Sequence, residues 1–305
     1  MPTPLRADRI RDARNSPQQS CHVGTLASQA LIAEAELTPK PGLVDQRGSG
    51  AHTDLSLDLM RRSARVLEPF FADMASAAEG RVPDRDLREE LAAIGRDAER
   101  AMYKATEGAN SHKGAIWILG LLVAAAAQKD DLSARQIASA AGAIARFPDR
   151  ACLNAVTHGD IVRNRYGVAG ARGEACQGFP HVVRFGLPTL RKQRKAGFPE
   201  EVCRLDALLA IMSRLDDTCV LYRGGIEALN FAKARARAVV RAGGYGSPPG
   251  RIEASDLGRA LIARRVSPGG SADLLAATIF LDAVERRQSE VSSDESKWEE
   301  TDGKA

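Results

Sequence analysis

The stretch Gly114-Ala-Ile-Trp-Ile-Leu-Gly-Leu-Leu-Val-Ala-Ala-Ala-Ala127 is the most apolar run in the chain. It holds no charge and no proline. A bilayer span needs roughly 20 apolar residues, so this run is too short to cross one. A helix that is apolar on every side is a core helix. The chain is therefore read around a central buried helix. Just upstream, Leu87, Leu91, Ile94, Ala98 and Met102 recur at helical spacing between Asp84 and Thr106. Just downstream, Ser133 and Gln136 form a capping-box pattern for the next helix.

The same period extends both ways. A first helix is expected from about His22 to Leu37, stopped by Pro39 and Pro41. Thr53 or Asp54 is expected to cap a second that carries Leu55, Leu59, Val66 and Phe70, with Pro69 as a candidate kink. Further helices are expected near 149–163, 180–192, 199–215, 223–241, 255–265 and 271–287. No segment alternates with the period-two pattern of a strand. The reading is all-α: one multi-helix catalytic domain over 21–288, a loose polar segment over 1–20 and a disordered acidic tail over 289–305.

Composition agrees. Aromatics are 5% of the chain and Ala is abundant, which favours helix over sheet. The net charge of +4 suits a small anionic substrate. No Lys/Arg run is interleaved with aromatics, so a nucleic-acid partner is not expected. The five cysteines, Cys21, Cys152, Cys176, Cys203 and Cys219, form no CxxC pair and read as reduced cytosolic thiols. The N-terminus lacks the apolar core of a signal peptide, and no membrane segment is seen, so a cytoplasmic location is expected.

Five Gly-, Pro- and charge-rich segments at helix ends stand apart from this scaffold. In Glu34–Asp54, glycines allow close backbone approach to a ligand. Lys40 and Arg47 are candidates for phosphate contacts there. Glu34, Asp45 and Asp54 are candidate magnesium ligands. The loop Gly108–Gly114 opens the apolar helix, whose N-terminus attracts anions. His158–Pro180 carries His158, Asp160, Arg165, Arg172 and Glu174 in a glycine-rich connection that suits a closing loop. Asp216-Asp217-Thr218 is read as acids at a helix C-terminus, compensated by a cation or Arg223. Ser267–Leu275 is a helix start whose glycines would let Ser271 touch phosphate; it lacks the Lys-Ser/Thr ending of a P-loop.

Together, LTPKPGLVD with GAHTD, NSHKGAI, RGEA with GFP, DDT and SPGGSADLLA resemble the triphosphoribosyl-dephospho-CoA synthase family, over about residues 25–285. Ser111 stands where Thr is also expected. The resemblance implies an all-α transferase. ATP and 3′-dephospho-CoA would give 2′-(5″-triphosphoribosyl)-3′-dephospho-CoA and adenine, with Mg2+ on the nucleotide. The product would pass to an acyl-carrier-protein transferase, the malonate decarboxylase branch being favoured over citrate lyase, and a homodimer stays open. Glycosyl transfer of this kind calls for an acid and a base. Glu34, Asp45, Glu174 and Asp217 are the expected catalytic carboxylates. Lys40, Arg47, His52, Asn110, His112, Lys113, Arg172 and Ser271 are expected to bind substrate. Glu34, Asp45, Asp54 and Asp217 are expected to hold the metal. The competing readings are a magnesium-dependent ADP-ribosyl hydrolase or phosphohydrolase, and a non-catalytic helical adaptor.

Overall fold

The computed structural model describes residues 5–151 and 157–302. Every regular element among them is helical, and the one β-bridge, Asp45 to Gly48, is isolated in a loop. In chain order the helices are α1 Leu5–Glu36, α2 Leu57–Ala78, α3 Arg85–Ala105, α4 Lys113–Ala127, α5 Ala134–Ala145 and α6 His158–Tyr166. They continue as α7 Gly170–Cys176, α8 Leu187–Lys195, α9 Glu200–Met212, α10 Thr218–Arg241, α11 Pro248–Ala263 and α12 Gly269–Asp302. A π-helical turn, Val182–Gly186, runs directly into α8. No described helix is long and apolar enough to cross a membrane.

The apolar run is α4, with eleven buried residues from Ala115 to Ala126. It packs against α2, α12 and α5, while α1 lies along α2 and α12. Gly120 sits so close to Met74 of α2 that a Cβ would fall 2.6 Å from the sulfur. The second half of the core joins α9, α10 and the start of α8.

Several boundaries differ from the sequence reading. α1 begins at Leu5, before the expected start near His22, and α12 runs to Asp302, into the segment read as a tail. Ser56, not Thr53 or Asp54, caps α2 by accepting from Leu59 N–H. Pro69 lies within α2. Asp84 and Ser133 cap α3 and α5 as expected, the latter with a complete capping box through Gln136. α10 starts at Thr218, so Asp217 lies at a helix N-terminus and not a C-terminus. A carboxylate there is favoured by the macrodipole and needs no compensating cation. Gly225, at φ 67° and ψ −167°, breaks the regular turns of α10, which is why periodicity placed its start later. Cys152 lies outside the described residues; Cys21, Cys176, Cys203 and Cys219 are free thiols.

Candidate functional site

Four helix ends converge on one polar region: the C-terminus of α1 and the N-termini of α4, α10 and α12. Each brings a segment that the sequence singled out.

The α1 end supplies Glu34, and the loop after it folds back on it. Lys40 is almost fully buried. Its Nζ donates to the Glu34 carbonyl at 2.7 Å and to Glu34 Oε1 at 2.6 Å. Asp45 acts as the staple of the loop. It accepts from Lys40 N–H at 2.9 Å, Arg47 N–H at 2.8 Å and the Arg47 guanidinium at 2.7 Å. Gly50 has φ +60°, and a Cβ there would fall 2.3 Å from the Leu43 carbonyl oxygen. Only glycine meets both conditions.

His52 ties this loop to the far side. Its Nδ1 accepts from Arg223 of α10 at 3.3 Å, and its Nε2 lies 2.8 Å from Ser267 Oγ. Burial, helped by the Arg223 charge, lowers the His52 pKa, so the ring is neutral at pH 7. Asp54 is exposed, 3.6 Å from His52 Nδ1.

Asp217 is buried and caps two helices at once. In α10 its Oδ1 accepts from Cys219 N–H at 2.9 Å and Val220 N–H at 3.4 Å. In α12 the carboxylate accepts from Gly270 N–H, and from Ser271 N–H and Oγ at 2.7 and 2.8 Å. Burial pushes the Asp217 pKa up, against the lowering effect of these hydrogen bonds. Ser271, expected at phosphate, therefore has both its donors engaged by Asp217. The nearby Cys219 thiol is also pushed upward, by burial and then by Asp217 and Asp273, so it is no nucleophile.

Asp273, two residues further along α12, was missing from the expected site. Its carboxylate packs against the first turn of α4, where a Cβ on Gly114 would lie 2.1 Å from Oδ2. Burial, then Glu34 and Asp217, raise its pKa well above the usual carboxylate value. The sequence held a signal for it: Asp273 is the acid of the quoted SADLLA segment. Only the fold shows that it faces Gly114 and two other acids.

At the α4 start, His112 is the N-cap, yet its side chain makes no cap hydrogen bond. Asn110 Oδ1 accepts from Lys113 N–H at 3.3 Å. First-turn helix amides have no intrahelical acceptor, and this first turn of α4 lies against Asp273 at Gly114. The His112 ring is buried, with Nδ1 2.7 Å from Ser63 Oγ and Nε2 without a partner. Burial and then Lys40 lower its pKa to about 3.

The other expected residues have partners of their own or are exposed. Lys113 pairs with Glu99 at 2.9 Å, partly exposed. Glu174 is buried and accepts from His181 N–H and Nδ1, at 2.8 and 2.7 Å, across the turn from α7 into the π segment. Arg172 is exposed. Asp160 is the third residue of a capping box closed by Thr157, and His158 stacks on Tyr222 at 3.9 Å.

The donor set expected for magnesium does not assemble. Asp45 and Asp217 spend their oxygens on the protein, Glu34 pairs with Lys40 and Asp54 is exposed. Among the described residues no group of three or more His, Cys, Asp or Glu side chains is placed to hold a metal ion.

Buried acids and a neutral imidazole meet where four helix ends converge, and the family match makes the chain a group-transfer enzyme of all-α architecture. Residues 21–292 match the family described as ATP:dephospho-CoA triphosphoribosyl transferase, and the chain belongs to that family. Similar proteins described as "Probable 2-(5''-triphosphoribosyl)-3'-dephosphocoenzyme-A synthase" include one from Stutzerimonas stutzeri, 54% identical over 89% of this chain and 94% of its own length. Another, from Pseudomonas aeruginosa, is 55% identical over 85% of this chain and 89% of its own. One from Azotobacter vinelandii is 51% identical over 93% and 94%. No solved structure matches the chain.

Proposed function

We propose that this chain transfers the 5″-triphosphoribosyl group of ATP to the 2′-hydroxyl of 3′-dephospho-CoA and releases adenine. The observation that carries the reading is the family match across residues 21–292, which takes in all four converging helix ends. The groups at the converging helix ends support this reading. The bond between C1′ of the ribose and N9 breaks, its electron pair leaves with adenine, and the base takes up a proton. Asp273, whose proton is held more tightly than an ordinary carboxyl's by burial and then by Glu34 and Asp217, is the group suited to give that proton. The new bond joins the 2′-oxygen of dephospho-CoA to C1′, and the hydroxyl proton passes to a carboxylate. Glu34 fits that role because one of its oxygens is free of hydrogen bonds. Asp45 and Asp217 serve by fixing the backbone that carries the reacting groups.

Magnesium enters as a component of the substrate, MgATP. Lys40, Arg47, Lys113 and the α4 amides are the groups proposed to meet phosphate. The product is proposed to feed an acyl-carrier-protein transferase, in the malonate decarboxylase branch, within the cytoplasm.

The test is mass spectrometry of the products from ATP, magnesium and 3′-dephospho-CoA. Adenine and the triphosphoribosyl product should appear together and only when both substrates are present. Consumption of ATP alone would instead favour a hydrolase.

A further inference from the structure

We propose that Ser63 locks the ring of His112 in the tautomer with its proton on Nε2, and that this N–H is a neutral hydrogen-bond donor to the departing adenine. The identity of that ligand rests on the transferase reading; the tautomer rests on geometry alone.

Ser63 lies on α2, fully buried, and nothing in its sequence surroundings marks it. In the fold it sits in the middle of a three-residue chain. Ser111 Oγ donates to Ser63 Oγ at 2.7 Å, and His112 Nδ1 lies 2.7 Å on the other side. A hydroxyl has one proton to give. With the Ser111 proton directed at Ser63, the Ser63 proton has one acceptor left among the described residues, His112 Nδ1. That nitrogen is then the lone-pair side of the ring, and a neutral imidazole carries its hydrogen on the other nitrogen. Burial and the nearby Lys40 keep the ring neutral, with a pKa of about 3.

The second half of the inference comes from what Nε2 lacks. It is buried and has no partner, a condition that buried polar groups rarely show. His112 immediately precedes the α4 turn that packs on Asp273, so ring and carboxyl flank the same helix start. A neutral donor is suited to an acceptor that gains electron density without starting as an anion. The ring nitrogens of adenine do this as the C1′–N9 bond breaks. His112 transfers no proton in this scheme; it holds a hydrogen bond that strengthens as the base leaves.

The experiment combines 15N NMR of histidine-labelled full-length protein with adenine-release kinetics. In the wild type, His112 should show a protonated Nε2 and a bare Nδ1. Ser63→Ala should give a tautomer mixture and lower kcat about tenfold, the loss of roughly one hydrogen bond's bias. KM for dephospho-CoA should stay unchanged. His112→Gln, whose side-chain amide reaches toward the Nε2 position, should keep far more activity than His112→Asn. A protonated Nδ1 in the wild type would overturn the proposal. So would equal activity of the Gln and Asn variants, which also decides the matter if the Ser63 variant does not fold. Should the wild type form no triphosphoribosyl product, the functional reading fails while the NMR still settles the tautomer.

Discussion

Lys40 Nζ and Glu34 Oε1 lie 2.6 Å apart with side chains only 1% and 4% exposed, so an ion pair sits inside the protein where α1 ends. Removing one partner of a buried pair leaves the other uncompensated, which costs about 3–5 kcal/mol. Lys40→Met should therefore lower stability by about that amount in chemical denaturation. The double variant Glu34→Gln, Lys40→Met should recover much of the loss while remaining inactive in adenine release.

Asp217 joins α10 to α12 by capping both. Loss of a single cap costs about 1 kcal/mol. Asp217→Ala, which removes both caps and the Ser271 hydrogen bonds, should cost roughly 3 kcal/mol in thermal denaturation. Asp217→Asn keeps an acceptor oxygen and should lose about half as much.

Asp273 carries a testable pH signature. Its folded pKa is raised, chiefly by burial and then by Glu34 and Asp217. The folded protein thus binds this proton more tightly than the unfolded chain does. The stability it contributes is complete below the unfolded value of about 3.9 and is lost as pH rises through the folded pKa. Asp273→Asn cannot ionise. Relative to the wild type it should gain stability as pH rises above about 4, and level off above the folded pKa of Asp273. At pH 8 its Tm should be higher by at least about 2 °C, the shift expected per kcal/mol in a domain of this size. Adenine release should collapse in the same variant, which separates catalysis from folding.

Gly114 makes room for that carboxylate. Gly114→Ala would put a Cβ 2.1 Å from Asp273 Oδ2, so the acid must move. Alanine also favours helix by about 1 kcal/mol over glycine. The variant should keep near-normal thermal stability yet lose at least about tenfold in kcat. Unchanged turnover would remove Asp273 from the reacting groups.

Much of the scaffold was legible before folding, because helical period and capping are local. The α4 core helix, the α3 stripe with its Asp84 cap, and the Ser133–Gln136 box all rest on residues within four positions of each other. The helix expected near 223–241 starts at Thr218, and Gly225 interrupts its period from within. Asp217, expected at a helix C-terminus, caps the N-terminus of α10, which changes what its carboxylate does. Ser63 could not be marked at all, since a single serine on an amphipathic helix carries no local signal.

The sequence by itself determined the helical class and the family, and singled out the candidate segments for the site. These follow from propensity, spacing and motif, which are written along the chain. Only the tertiary structure decided how the charges are spent. It joined Lys40 to Glu34, turned Asp45 and Asp217 into backbone staples, set Asp273 beside Glu34 and Asp217, and left the Nε2 of His112 without a hydrogen-bond partner among the described residues. The reason is physical. A carboxylate's role depends on its burial and on which donors reach it, and for Asp217 those donors come from a helix 54 residues further along the chain.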